Sequence, residues 1–61
     1  MELYTAMLQS RYAGEALLRA HALRSVDKFS SEYYREEAMR HINEMAATLG
    51  LEITERKQVA A

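Results

Sequence analysis

The sequence predicts an all-α protein, an antiparallel two-helix hairpin that dimerises into a four-helix bundle. Three observations carry this. The 61 residues contain no proline and two glycines, Gly14 and Gly50, while strong helix formers such as alanine, leucine, glutamate, arginine and methionine dominate. Two segments repeat apolar residues at spacings of three and four, and a short polar break separates them. Finally, a chain this small buries only roughly 60% of its unfolded surface even as a sphere, and a hairpin is flatter than a sphere. Something must cover its apolar side.

The first helix is expected over about residues 2–27 of a hairpin spanning 1–53. Leu3, Met7, Gly14, Leu17, Leu18 and Ala22 recur at helical spacing, with Ser10, His21 and Ser25 on the same side. A second stripe runs beside it through Leu8, Tyr12, Ala16, Leu23 and Val26. Together the stripes cover more than half the circumference, whereas one packing partner needs an apolar arc of only about 100°. Two contact faces are therefore expected, with Ser10, Gly14 and Ala22 letting backbones approach closely. Small size and wide apolar cover together point to a homodimer.

Residues 27–31, Asp27-Lys28-Phe29-Ser30-Ser31, form the break. Ser30 or Ser31 is the expected N-cap of the second helix, its hydroxyl accepting from amides of the first turn. With Ser30 as the cap, Phe29 and Tyr34 take the spacing of a hydrophobic staple. So short a connection makes the helices antiparallel neighbours. The second helix is expected over about 31–49, with Tyr34, Ala38, Ile42, Met45 and Leu49 on its packing stripe. Leu3, Met7, Gly14, Leu17 and Leu18 are their counterparts as core and dimer residues. Glu36, Glu37, Arg40, Asn43 and Glu44 lie opposite, with Glu36–Arg40 and Arg40–Glu44 at pairing distance along the helix. Gly50 is expected to close the helix as a left-handed cap. Residues 54–61 show no pattern and are read as a flexible tail.

Composition excludes several chemistries. With no cysteine, neither disulfides nor thiolate metal sites can form. Eight Lys and Arg against nine Asp and Glu give a net charge of −1, so no single-sign field favours nucleic acid or anionic lipid. Arg11, Arg19, Arg24 and Lys28 spread around the first helix rather than forming the contiguous patch that neutralises phosphates. The longest uncharged run, residues 3–10, is too short to cross a bilayer, and the N-terminus has no basic segment followed by an apolar core. The expected location is the cytoplasm, without membrane contact. A metal needs at least three converging ligands, and His21 and His41 fall on different helices. His41 is instead expected to border the core, bonded to Glu37 or Glu44. Ser10, Ser25, Ser30 and Ser31 have no paired base, and no glycine-rich loop cradles a phosphate. A two-helix layer does not enclose a water-excluding cavity. The chain reads as non-enzymatic, with no cofactor and no small-molecule substrate.

Tyrosine is the informative residue type. Four of the five aromatics are Tyr4, Tyr12, Tyr33 and Tyr34. Tyr33 falls on the polar face of the second helix beside Glu37 and Arg40, where helical spacing gives it no packing role. Tyrosine and arginine are the residues that dominate interface hot spots. Tyr33, Glu37 and Arg40, with Tyr12 and Arg19 on the first helix, are therefore the expected partner-binding residues.

The stretch Tyr33-Tyr34-Arg35-Glu36-Glu37-Ala38-Met39-Arg40-His41-Ile42, running into Ala46-Ala47-Thr48-Leu49-Gly50-Leu51-Glu52-Ile53, resembles the second helix of short phage-encoded helical proteins. Proteins of that kind are typically made early in infection, and some block host regulators, including quorum-sensing transcription factors. The resemblance spans about half the chain and implies an adaptor that binds a host protein, with no individual functional residue carried over. A small regulator or inhibitor acting by protein binding is thus the expectation. A dimeric nucleic-acid-binding hairpin and a structural assembly module are the alternatives.

Overall fold

A computed structural model describes residues 2–54. Helix α1 spans Leu3–Leu23 and helix α2 spans Lys28–Thr48. The four residues between them, 24–27, reverse the chain, and the helices pack with facing Cα atoms within 8 Å of one another. The all-α hairpin is as the periodicity predicts. The expected tail lies outside the described residues from position 55 onward.

The break falls three to four residues earlier than expected, for a reason that lies in the caps. Asp27, not a serine, caps α2: it is extended at φ −144° and ψ 97°, and its carboxylate accepts from the Ser30 amide at 3.2 Å. The Ser30 hydroxyl donates back to the same carboxylate at 2.7 Å. Ser31 is occupied elsewhere, donating to the Ala20 carbonyl at 2.7 Å. That carbonyl belongs to the last turn of α1, where acceptors lack intrahelical partners. The Arg24 amide, its regular partner, turns instead to His21. One short segment thus starts α2 with an aspartate and closes α1 with a serine. With the cap at Asp27, Phe29 lies inside the first turn and is 89% exposed, so the staple with Tyr34 does not form.

The far end of α2 closes as expected. Gly50 takes φ +76°, the Leu51 amide reaches back to the Ala46 carbonyl at 2.7 Å, and the Gly50 amide bonds Ala47 at 3.0 Å. This pairing is the Schellman arrangement, which satisfies carbonyls that the helix end leaves free.

The packing of α1 departs from expectation. Its buried residues are Ala6, Ala13, Ala16 and Ala20, with Gln9 and Leu23 half-buried between and beyond them. These positions alternate at three and four, the period of a helix seam. Against them α2 sets Ala38, fully enclosed, with Ser31, Tyr34, Ile42, Met45 and Leu49 half-buried and Ala46 buried. The α2 stripe is the predicted one. Leu3, Met7, Gly14, Leu17 and Leu18, expected as core and dimer residues, do not face α2 and are exposed within the hairpin, Leu18 at 68%. The physical reason is that the small alanines of α1 admit a closely approaching helix whose own larger side chains fill the seam, and Leu3, Met7, Leu17 and Leu18 then lie on the flank of α1.

The caps and the seam each lead to a measurement. The hydrogen bonds from Ser30 hold the Asp27 carboxyl below its ordinary value. A depressed carboxylate adds stability that is present above its unfolded value, near 3.8, and is lost as pH falls through the lower folded value. Asp27→Ala is expected to lower the melting temperature at pH 7 by a few degrees, and Asp27→Asn to retain most of the cap. The acid-limb loss expected of the parent protein should be smaller in both variants when melting is followed from pH 6 to pH 2. At the seam, Ala38→Leu should cost about 1–3 kcal/mol in urea unfolding, because the enclosed site has no room for three more carbons.

Candidate functional site

One side of the hairpin carries a shallow groove of about 250 Å³. Ala16 lies at its base, with Tyr12, Glu15 and Arg19 rising from α1. Tyr33, Tyr34, Glu37, Arg40 and His41 line it from α2. Helical repeat explains the convergence: positions 12, 16 and 19 share one flank of α1, and 33, 34, 37 and 41 share the adjoining flank of α2. The structure therefore brings all five expected partner-binding residues, Tyr12, Arg19, Tyr33, Glu37 and Arg40, to one groove. Glu15, Tyr34 and His41 complete it. Sequence reading missed Tyr34 and His41 because it placed them at the core, and it assigned Glu15 no role.

The rings are held by one another. Tyr33 and Tyr34 meet edge to face with centroids 5.2 Å apart, and Tyr12 tilts against His41 at 5.5 Å. The Arg19 guanidinium stands 5.6 Å from the Tyr34 centroid, within reach of a cation–π attraction. Tyr33 nevertheless keeps 59% of its surface exposed.

Arg40 is pinned between two acids. Its Nη2 lies 2.7 Å from Glu37 and its Nη1 2.8 Å from Glu44, and Nε donates to Glu37 at 2.9 Å. The expected Glu36–Arg40 pair does not form. Glu36 lies 3.6 Å from Arg35 instead, because Glu37 occupies the flank nearest Arg40. Surface pairs of this kind add little stability, but they fix the direction of the guanidinium. The hydrogen bond from Arg40 comes first among the influences that lower the Glu37 carboxyl, and Glu37 in turn raises the Tyr33 phenol by hydrogen bonding and by its charge.

His41 is not bonded to a glutamate, contrary to expectation, since Glu37 and Glu44 are both drawn to Arg40. Its Nε2 lies 3.5 Å from Arg40 Nη2, and Nδ1 is enclosed with no hydrogen-bond partner. A guanidinium offers only donors, so Nε2 can take part in this contact only as an acceptor.

Among the described residues no three or more His, Asp or Glu side chains converge as a metal site would require, and no helix is long and apolar enough to cross a membrane. Compared with known proteins, the chain matches no family model, no curated protein and no solved structure.

The coupling of Tyr33 to Glu37 is directly measurable. In Glu37→Gln the acceptor loses its charge, so the Tyr33 phenol should titrate closer to its ordinary value of 10.0 in an NMR-monitored titration. An unchanged Tyr33 curve would show that Glu37 does not control it.

Proposed function

We propose that this chain is a small non-enzymatic regulator or inhibitor that acts by protein–protein binding, as a homodimer, through the groove between Tyr12 and Tyr33. The observation that carries the reading is the convergence of three tyrosines and two directed arginines on one exposed groove. Such side chains supply large, stiff contact area and are enriched where single truncations cost most. At about 250 Å³ the groove is smaller than the ~300–1,000 Å³ typical of small-molecule pockets, and it is open along its length. A protein segment laid across the rings suits it better than an enclosed substrate.

The cation arrangement favours protein over nucleic acid. Arg40 is paired with two glutamates and Glu15 lines the groove with Arg19, so the groove presents no row of unneutralised charge to a phosphate backbone. The resemblance of residues 33–53 to phage-encoded helical proteins gives the reading its specific form, a cytoplasmic inhibitor whose target is a host transcription regulator.

The test is affinity capture from a host lysate with the parent chain and with Tyr33→Ala. Loss of the same captured protein, with affinity weakened at least tenfold and melting unchanged, supports the groove as the contact surface. Lowered melting with affinity unchanged would assign Tyr33 to stabilising the hairpin and end the proposal for this site.

A further inference from the structure

Arg40 and His41 stand between the same two acids. Arg40 lies three residues after Glu37 and four before Glu44, and His41 lies four after Glu37 and three before Glu44. Either spacing brings side chains together on a helix. In the structure Arg40 holds both acids, with Nη2 and Nε on Glu37 and Nη1 on Glu44. His41 holds neither. Its half-buried ring rests against Tyr12, its Nε2 meets the Arg40 guanidinium at 3.5 Å, and its enclosed Nδ1 has no partner.

That arrangement suits a neutral ring. An uncharged imidazole keeps one nitrogen able to accept, whereas in a protonated ring both nitrogens donate. A proton on His41 therefore sets donor against donor and charge against charge at the Arg40 contact. The enclosed Nδ1 has no acceptor on its side, so the acceptors that helical spacing offers the charged ring are the carboxylates Arg40 already holds. Of these, Glu37 lines the groove together with His41, while Glu44 lies on the outer flank of α2 with Met39 and Asn43. From α1 the facing groups are Tyr12, Glu15 and Arg19, and the two charges of that set oppose one another. The tyrosines Tyr33 and Tyr34 complete the surroundings from α2.

Resting on the reading of this groove as the contact surface, we propose that protonation of His41 switches the groove between two pairings. With a neutral ring, Arg40 holds Glu37 and Glu44 together. With a charged ring, the imidazolium takes Glu37 and Arg40 keeps Glu44 alone. Ion pairs at an exposed surface are weak enough to exchange partners, and histidine is the side chain whose charge changes near neutral pH. The exchange reaches Tyr33 because Glu37 is the acid that perturbs its phenol, first by hydrogen bonding and then by charge. Recognition through Tyr33 is thereby made sensitive to pH.

The test uses the chain alone, so a failed switch leaves the contact surface standing and a failed capture leaves the switch standing. NMR signals of the His41 ring, the Arg40 guanidinium and the Tyr33 ring are followed from about pH 8 to about pH 5. All three should share one midpoint, and the Arg40 and Tyr33 responses should be lost in His41→Gln. Arg40 and Tyr33 signals that stay fixed while His41 titrates would overturn the switch, as would responses that persist in His41→Gln. His21 is exposed and outside the groove, so His21→Gln should leave the shared midpoint in place, and its loss there would end the proposal. Glu37→Gln keeps the histidine and removes the acid, so Tyr33 should no longer follow His41, a result that does not depend on His41→Gln folding. A Tyr33 response that survives Glu37→Gln and is lost in Glu15→Gln would make Glu15 the acceptor and overturn the pairing.

Discussion

The closeness of two alanine-lined helices is the constraint on which the other features depend. Four buried alanines on α1 face Ala38 and Ala46 on α2, with the larger Tyr34, Ile42, Met45 and Leu49 of α2 half-buried beside them. Attraction across the seam comes from many short contacts, each small in itself. Alanine removes little apolar area from water, so the large apolar residues of α1 remain on the outside, Leu3 at 66% exposure among them. The same choice that lets the hairpin close leaves it with an uncovered face.

The turn follows from this constraint as well. A tight hairpin requires α1 to stop and α2 to start within a few residues, with each exposed backbone group given a partner. Asp27 serves the amides of α2, and Ser31 serves the Ala20 carbonyl across the turn. The hydrogen bond to Ala20 joins residues eleven apart and so locks the register of one helix against the other. It also connects the end of α1 to the first turns of α2, close to the position from which Tyr33 and Tyr34 project.

Helix number, connection length and the Gly50 cap were legible because each rests on local chemistry: helix formers without proline, capping residues, and a glycine able to take positive φ. The packing stripe of α2 was legible too, since Tyr34, Ile42, Met45 and Leu49 are large enough to dominate its period. On α1 the same reasoning missed the arc that faces α2. Alanine weighs little in any apolar pattern, so Leu3, Met7, Leu17 and Leu18 drew the stripe toward what is the flank of the hairpin. The cap was ambiguous because Asp27, Ser30 and Ser31 are all good N-cap types, and the non-local bond that occupies Ser31 has no signature in the local sequence. Tyr33, Glu37 and Arg40 could be singled out as polar-face neighbours one turn apart. That Tyr12 and Arg19 meet them depends on which flank of α1 adjoins α2, and the seam decides that.

The groove is balanced in charge and fixed in shape, which bears on what it can recognise. Arg19 and Arg40 are offset within it by Glu15 and Glu37, so little field extends from it to steer a charged partner. Arg40 already donates to two carboxylates, and Arg19 stands over Tyr34. What remains free is largely ring surface and phenol oxygens. Tyrosine side chains have few rotatable bonds, and here each ring rests on another ring or a guanidinium, so docking a partner orders little that is not already ordered. Selectivity in such a site comes from fit against the rings and from hydrogen bonds to the phenols. Charge acts indirectly, through Glu37 and Glu44, which hold Arg40, and through Glu37 alone on Tyr33. Displacing either helix along the seam would shift Tyr12 relative to Tyr33 and change that fit, so the alanines that carry no chemistry of their own set the spacing on which recognition depends.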